Sequence, residues 1–325
     1  MNSPVIVIGR PRSGSTLFAR ILNESQDLFV LNDLYYLQYV DSLGGFSSQD
    51  IHLLRNIAQE LIRTIQDRLE PDVLRVAGIE SKEFISEQDE KKLKSFSQKI
   101  LNQSEHNWSS LLASIMQYSA SLFGKKIWGY NTPQDYLHLP RLQQAFPNGK
   151  FIFVMRDPRS VLLSYKNSGY VEGYFDSSRY HPVLQALAWK SAMHCFWQNQ
   201  KQDNILLVKY EDLVSDVNRV LADVGSFIGT KFPQVNLHDF GNNSSFKNKK
   251  KKKLTDTEIW LCEQIVGQQM KEVGYSLCEQ QPSIKDLNDL FSSTRKALSF
   301  YLTNSLTSAD IRKRVIKLAQ AICKL

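Results

Sequence analysis

The stretch that most restricts this chain lies at its beginning. Pro4-Val5-Ile6-Val7-Ile8 runs into Gly9-Arg10-Pro11-Arg12-Ser13-Gly14-Ser15-Thr16 and then into Leu17-Phe18-Ala19-Arg20-Ile21-Leu22. An apolar run without polar alternation reads as a strand covered on both faces, the kind found inside a parallel sheet. Gly9 and Gly14 let the backbone turn back so that successive N–H groups converge, and a helix opening near Ser15 adds the positive end of its dipole. The arrangement calls for an anion. It also puts the loop at the carboxyl end of a strand, where open α/β sheets bind their ligands.

The spacing is similar to that of the nucleotide P-loop, G-x-x-x-x-G-K-[ST], at Gly9, Gly14 and Thr16, but Ser15 stands where the lysine would be. In a nucleoside triphosphatase that lysine reaches the terminal phosphates, so its absence argues against ATP or GTP as substrate. The cation is carried inside the loop instead, as Arg12. A second apolar strand, Phe151-Ile152-Phe153-Val154-Met155, ends in Arg156-Asp157-Pro158-Arg159-Ser160-Val161-Leu162-Leu163-Ser164. Helical spacing after Pro158 carries Ser164 two turns from the strand end. Arg156 and Ser164 share one phosphate only if the chain folds back.

These segments resemble the sulfotransferases that use 3′-phosphoadenosine 5′-phosphosulfate (PAPS). The first is similar to their 5′-phosphosulfate loop, [PR]-[KR]-[ST]-G-[ST]-[ST], and the second to their 3′-phosphate motif, R-[DN]-P-[RK]-[DS]-V-x-x-S, with Arg156 and Ser164 at its arginine and serine. Leu206-Leu207-Val208-Lys209-Tyr210-Glu211-Asp212-Leu213 resembles the family's strand followed by Y-E-D-L, whose tyrosine lies near the adenine. The motifs occur in family order, and the resemblance runs to Glu272-Val273-Gly274-Tyr275. It implies a P-loop-like α/β fold, a parallel sheet flanked by helices, and transfer of a sulfuryl group from PAPS to a hydroxyl acceptor, leaving 3′-phosphoadenosine 5′-phosphate. It implies donor binding by Arg10, Arg12, Ser13, Gly14, Ser15, Thr16, Arg156, Ser164, Tyr210 and a late-loop residue such as Ser245, without a metal.

Sulfuryl transfer asks the protein to orient the acceptor, remove its proton and neutralise charge growing on the leaving phosphate. Arg12 and the loop N–H groups suit the last task. Arginine here resembles the tyrosylprotein and bacterial branches, and in the former a glutamate follows the loop arginine at the distance separating Arg12 from Asp33. Asp33 is therefore a candidate base, and equally a candidate helix N-cap before Leu34-Tyr35-Tyr36-Leu37. Where many members place a lysine before the Thr-Pro turn this chain has Asn131, which carries no charge; either Arg10 supplies the missing cation or the enzyme is slower or differently specialised. His138 falls within a helix expected from Tyr136 to Phe146 and reads as a helix-surface histidine. Trp189 and Trp197 read as core. Two other functions stay open, a P-loop kinase for small molecules and an inactive polyanion-binding protein of the same fold.

With 325 residues, 42% of them hydrophobic, the chain can bury a full core. Its net charge of +7 suits an anionic cosubstrate as well as it suits nucleic acid, and no nucleic-acid module is present in the sequence. The four cysteines, Cys195, Cys262, Cys278 and Cys323, form neither a C-x-x-C pair nor a disulfide framework, which fits a reducing compartment. Met1 precedes the first strand almost directly and no apolar run reaches about 18 residues, so the expectation is a cytoplasmic enzyme without signal peptide or membrane span.

The domain expected spans residues 1–280, with a helical acceptor-side insertion at 34–125. There Ile51, Leu54, Ile57, Ala58, Leu61, Ile62 and Ile65 recur at helical spacing, as do Leu111, Leu112, Ile115, Met116 and Leu122. Residues 86–106 between them are polar and read as a solvated helix or loop, or as a mobile lid over the acceptor. The Lys249–Lys253 tract reads as a solvated loop or as a cover for the 3′-phosphate. A helical extension is expected at 281–325, where the stripe Ile311, Val315, Leu318 and Ile322 suits packing on the domain, a homo-oligomer contact or peripheral membrane contact.

Overall fold

In the computed structural model, the described residues are 3–69, 86–101, 107–167, 180–240 and 252–286, with five more between 290 and 299. By its contacts the chain divides into two units: residues 1–9, 14–154 and 200–241, and residues 10–13, 155–199 and 242–325.

The first unit is an α/β layer. Its sheet has the order β2-β3-β1-β4-β5, with β1 Val5–Gly9, β2 Leu28–Asn32, β3 Ile127–Asn131, β4 Lys150–Met155 and β5 Ile205–Lys209. The β1/β3, β1/β4 and β2/β3 pairs are parallel. Every residue of β1 is buried, which is why the run carries no polar alternation. Strand β2 is an element the sequence reading did not anticipate. Its apolar Leu28-Phe29-Val30-Leu31 is the signal that was there to read.

Helix α1, Ser15–Leu22, packs Phe18, Ala19, Ile21 and Leu22 into a core shared with Val5, Val7, Ile152, Val154, Leu213 and Val224. The short helix α2, Tyr36–Ser42, precedes α3, Ile51–Leu69, which buries Leu54, Ile57, Ala58, Leu61, Ile62 and Ile65 and exposes Ile51 at its first position. The polar stretch is α4, Glu87–Leu101, a solvated helix whose buried Leu93, Ser97 and Ile100 fall at helical spacing. Its Phe96 stacks on Tyr118 of α5, Trp108–Leu122, with ring centroids 3.9 Å apart.

The single helix expected from Tyr136 to Phe146 is instead a 3₁₀ turn, Pro133–His138, followed by α6, Leu139–Ala145. Pro140 is the cause: its ring and missing N–H fit only the first turn of a helix, so the α-helix restarts there. His138 is buried, with its ring 5.6 Å from that of Phe46, and is not a surface residue.

In the second unit α7, Pro158–Asn167, packs on α8, Pro182–Asn199. After the first unit's α9, Tyr210–Ser215, and α10, Val217–Ile228, the second unit resumes with α11, Asp256–Glu272. A capping box at Thr255 and Glu258 opens α11, and the helix packs on α8. Ser245, Lys249–Lys251 and the stripe from Ile311 to Ile322 lie outside the described residues. Among the described residues no helix is long and apolar enough to cross a membrane.

Candidate active site

In the first unit, Gly9 ends β1 with φ 147°, and a Cβ there would lie 2.2 Å from the Val154 carbonyl oxygen. Only glycine allows β1 and β4 to close at that point. Gly14, the N-cap of α1, has φ 88° and accepts from the Phe18 N–H at 3.0 Å. The ring of Tyr210 lies against it, so that a Cβ on Gly14 would meet ring carbons at 2.2 and 2.5 Å. The loop glycine and the tyrosine of the third motif, far apart in sequence, are thus packed together. Ser15 is buried at the first position of α1 and Thr16 is half-buried beside it. The first N–H groups of such a helix have no intrahelical acceptor and remain available to an anion.

Asp33 directly follows β2 and has a left-handed backbone, φ 54°. Its N–H donates to the Asn131 carbonyl at 2.7 Å, its carbonyl accepts from Arg68 Nε at 3.2 Å, and its Oδ1 accepts from the Tyr35 hydroxyl at 3.2 Å. It does not cap a helix. The N-cap of α2 is Tyr35, itself left-handed at φ 49° and without a side-chain cap bond. Two left-handed residues in three break the helical path that a cap at Asp33 needs, and leave its carboxylate at a strand end. Asn131 is buried at the end of β3 and donates from Nδ2 to Asn32 Oδ1 at 2.8 Å; its own Oδ1 has no hydrogen-bond partner among the described residues.

In the second unit, residues 10–13 form a turn closed by the Ser13 N–H donating to the Arg10 carbonyl at 3.1 Å. Arg12 sits in it with φ 76°, a conformation that costs an L-residue on the order of 1–3 kcal/mol and that the surroundings must impose. They do so from two sides. Arg12 Nε donates to the buried Ser164 Oγ at 3.1 Å, and Arg156 Nη1 donates to the Arg12 carbonyl at 3.3 Å. Arg156 is anchored in turn by the Trp189 indole, which donates to its carbonyl at 2.9 Å. Both residues of the second motif therefore reach Arg12, Ser164 at its side chain and Arg156 at its carbonyl. Arg10 donates to Gln185 Oε1 and lies over the Tyr165 ring, 5.2 Å from its centroid. Arg10 Nε and Ser13 Oγ are buried donors without hydrogen-bond partners among the described residues.

The next arginine of the second motif behaves differently. Arg159 pairs with Asp157 at 2.6 Å and with Glu263 at 2.9 Å, and the hydrogen bond to Asp157 is the main cause that raises its pKa above the ordinary value. It is a structural cation that ties α7 to α11. Of the basic tract, Lys252 is tied by its backbone to the Asn167 side chain through two bonds of 2.8 Å.

The chain matches the model of the sulfotransferase family over residues 4–234, and it belongs to that family. The matched span contains every candidate residue except Ser245. Sulfotransferase 2A1 of Homo sapiens is 29% identical over 145 residues, 40% of this chain and 50% of that protein. The chain spans half or less of the length of the curated relatives it matches. Among solved structures, the sulfotransferase domain from the curacin biosynthetic pathway is 15% identical, with a TM-score of 0.48 over 85% of this chain and 99% of that one. Sulfotransferase STF9 from Mycobacterium avium is also 15% identical, with a TM-score of 0.46 over 85% of this chain and 78% of that one.

Proposed function

We propose that this chain transfers a sulfuryl group from PAPS to a hydroxyl of a small molecule, lipid or glycan. The observation that carries the reading is the turn at Arg12, where a strained cation is held by Ser164 and Arg156, with the buried donors Ser13 Oγ and Arg10 Nε in the same unit. Buried donors without partners are costly, and an anion's oxygens would satisfy them. The set fits a nucleotide with anionic groups at both ends.

When bound, the donor supplies an activated sulfuryl group on a 5′-phosphate. Arg12, with the N–H groups of Ser13 to Thr16 and the hydroxyls of Ser15 and Thr16, would bind that end and stabilise the charge left on the phosphate. Tyr210 would pack on the adenine, Arg156 and Ser164 would bind the 3′-phosphate, and Ser245 or a lysine of the 249–253 tract would add to the binding of that phosphate. Asp33 would take the acceptor's proton. Its backbone is held on both sides and its Oδ1 accepts from the Tyr35 hydroxyl, which supports a carboxylate oriented before the acceptor arrives. The cysteine spacing supports a cytoplasmic setting.

The test is a thermal-shift comparison of nucleotides with and without chelator. At about a hundredfold excess over its Kd, 3′-phosphoadenosine 5′-phosphate should add roughly 2.7 kcal/mol of stability without metal. ATP with Mg²⁺ should do much less, since Ser15 replaces the P-loop lysine. Stabilisation by Mg²⁺–ATP alone would overturn the reading in favour of a kinase.

A further inference from the structure

We propose that Gln185 is a positioning residue that aims Arg10 at the donor's anionic end while leaving its charge whole; the proposal rests on the donor reading above. Gln185 lies on α8 and is 5% exposed. Its Oε1 accepts from Arg10 Nη2, and the Tyr165 ring faces the same guanidinium. One turn further along α8, Trp189 holds the carbonyl of Arg156. Residues four apart share a helix face, so one face of α8 steadies a loop arginine and the backbone of the second motif.

The chemistry of the acceptor matters. Two other cations of this unit are held by carboxylates: Arg159 by Asp157 and Glu263, and Lys166 by Glu258 at 2.6 Å. In those contacts carboxylate charge matches or exceeds that of the cation, and they serve the packing. Among the described residues, Arg10 has no ion pair and is oriented by an uncharged amide and an aromatic face. A buried amide needs a partner to offset its lost hydration, so Gln185 fixes the guanidinium firmly. Being neutral, it subtracts nothing from the Coulomb attraction between Arg10 and a phosphate or sulfate, and Nε remains to donate. A glutamate at this position would keep the hydrogen bond and cancel the charge.

Gln185→Glu separates positioning from packing. By calorimetry with 3′-phosphoadenosine 5′-phosphate, its affinity should fall on the order of tenfold or more, with an unchanged or raised Tm, because the new Arg10–Glu ion pair competes with the nucleotide. The loss should disappear in an Arg10→Met background, since Gln185 acts through that arginine. Gln185→Met, which removes the acceptor and keeps the volume, should also bind more weakly and serves if the glutamate variant folds poorly. Affinity in Gln185→Glu equal to the parent's, or a loss of the same size with and without Arg10, overturns the positioning role and leaves the donor reading standing. Failure of the unmodified protein to bind the nucleotide overturns both.

Discussion

Gly14→Ala places a single methyl group where the loop, the helix and the third motif meet. Two costs follow from the geometry. The backbone φ of 88° lies in the left-handed region, where an L-residue is disfavoured by roughly 1–2 kcal/mol. The new Cβ would also stand 2.2 and 2.5 Å from Tyr210 ring carbons, an overlap that must be relieved by displacing the ring, at about 1–3 kcal/mol. The sum is about 2–5 kcal/mol, readable by urea denaturation as a lower midpoint at unchanged m-value. Tyr210→Ala in the same chain removes the overlap and keeps the φ cost. The double variant should therefore recover part of what Gly14→Ala loses, a coupling of about 1–3 kcal/mol. Nucleotide affinity should fall in Gly14→Ala alone, because the ring proposed to meet the adenine has been displaced. A stability loss under about 0.5 kcal/mol, or strict additivity with Tyr210→Ala, would refute the packing argument.

Arg12→Ala should lower kcat by about two to three orders of magnitude, the usual cost of one preorganised transition-state donor, with a smaller change in nucleotide Kd; near-parental turnover would remove Arg12 from catalysis. Arg156→Ala should weaken nucleotide binding by about 1.5–3 kcal/mol, and calorimetry should find the loss confined to ligands carrying a 3′-phosphate. Asp33→Asn preserves tolerance of the left-handed backbone while removing the charge, so kcat and its rise with pH should be lost while Tm is nearly kept; retained turnover would move the base elsewhere. Burial pushes the Cys195 and Cys262 thiols from 9.0 up to about 12, and raises the buried Tyr36 and Tyr130 hydroxyls. For groups raised in the folded state the contribution is whole below the unfolded pKa and is lost as pH climbs toward the folded one. Unfolding free energy should therefore decline above about pH 9, and a flat profile from pH 8 to 11 would contradict it.

The sequence alone showed most of the elements and implied an anionic ligand. The unbroken apolar β1, the paired glycines and the α3 stripe are local signals, because strand burial and helix periodicity are written in neighbouring residues. With the second apolar strand and the segment that follows it, they made Arg12, Gly14, Arg156 and Ser164 candidates for an anion site. Boundaries were legible where caps were strong, as at Thr255, and misread where a single proline reset the helix, as at Pro140. Only the tertiary structure decided which residues meet. Ser164 bonds to Arg12, Tyr210 packs on Gly14, Gln185 holds Arg10, and Asp33 leaves the helix it would have capped. Each depends on chain segments brought together from far apart, or on a backbone angle that long-range packing imposes. Residue type and spacing carry no term for either, so the chemistry could be read from the chain while its geometry had to be seen.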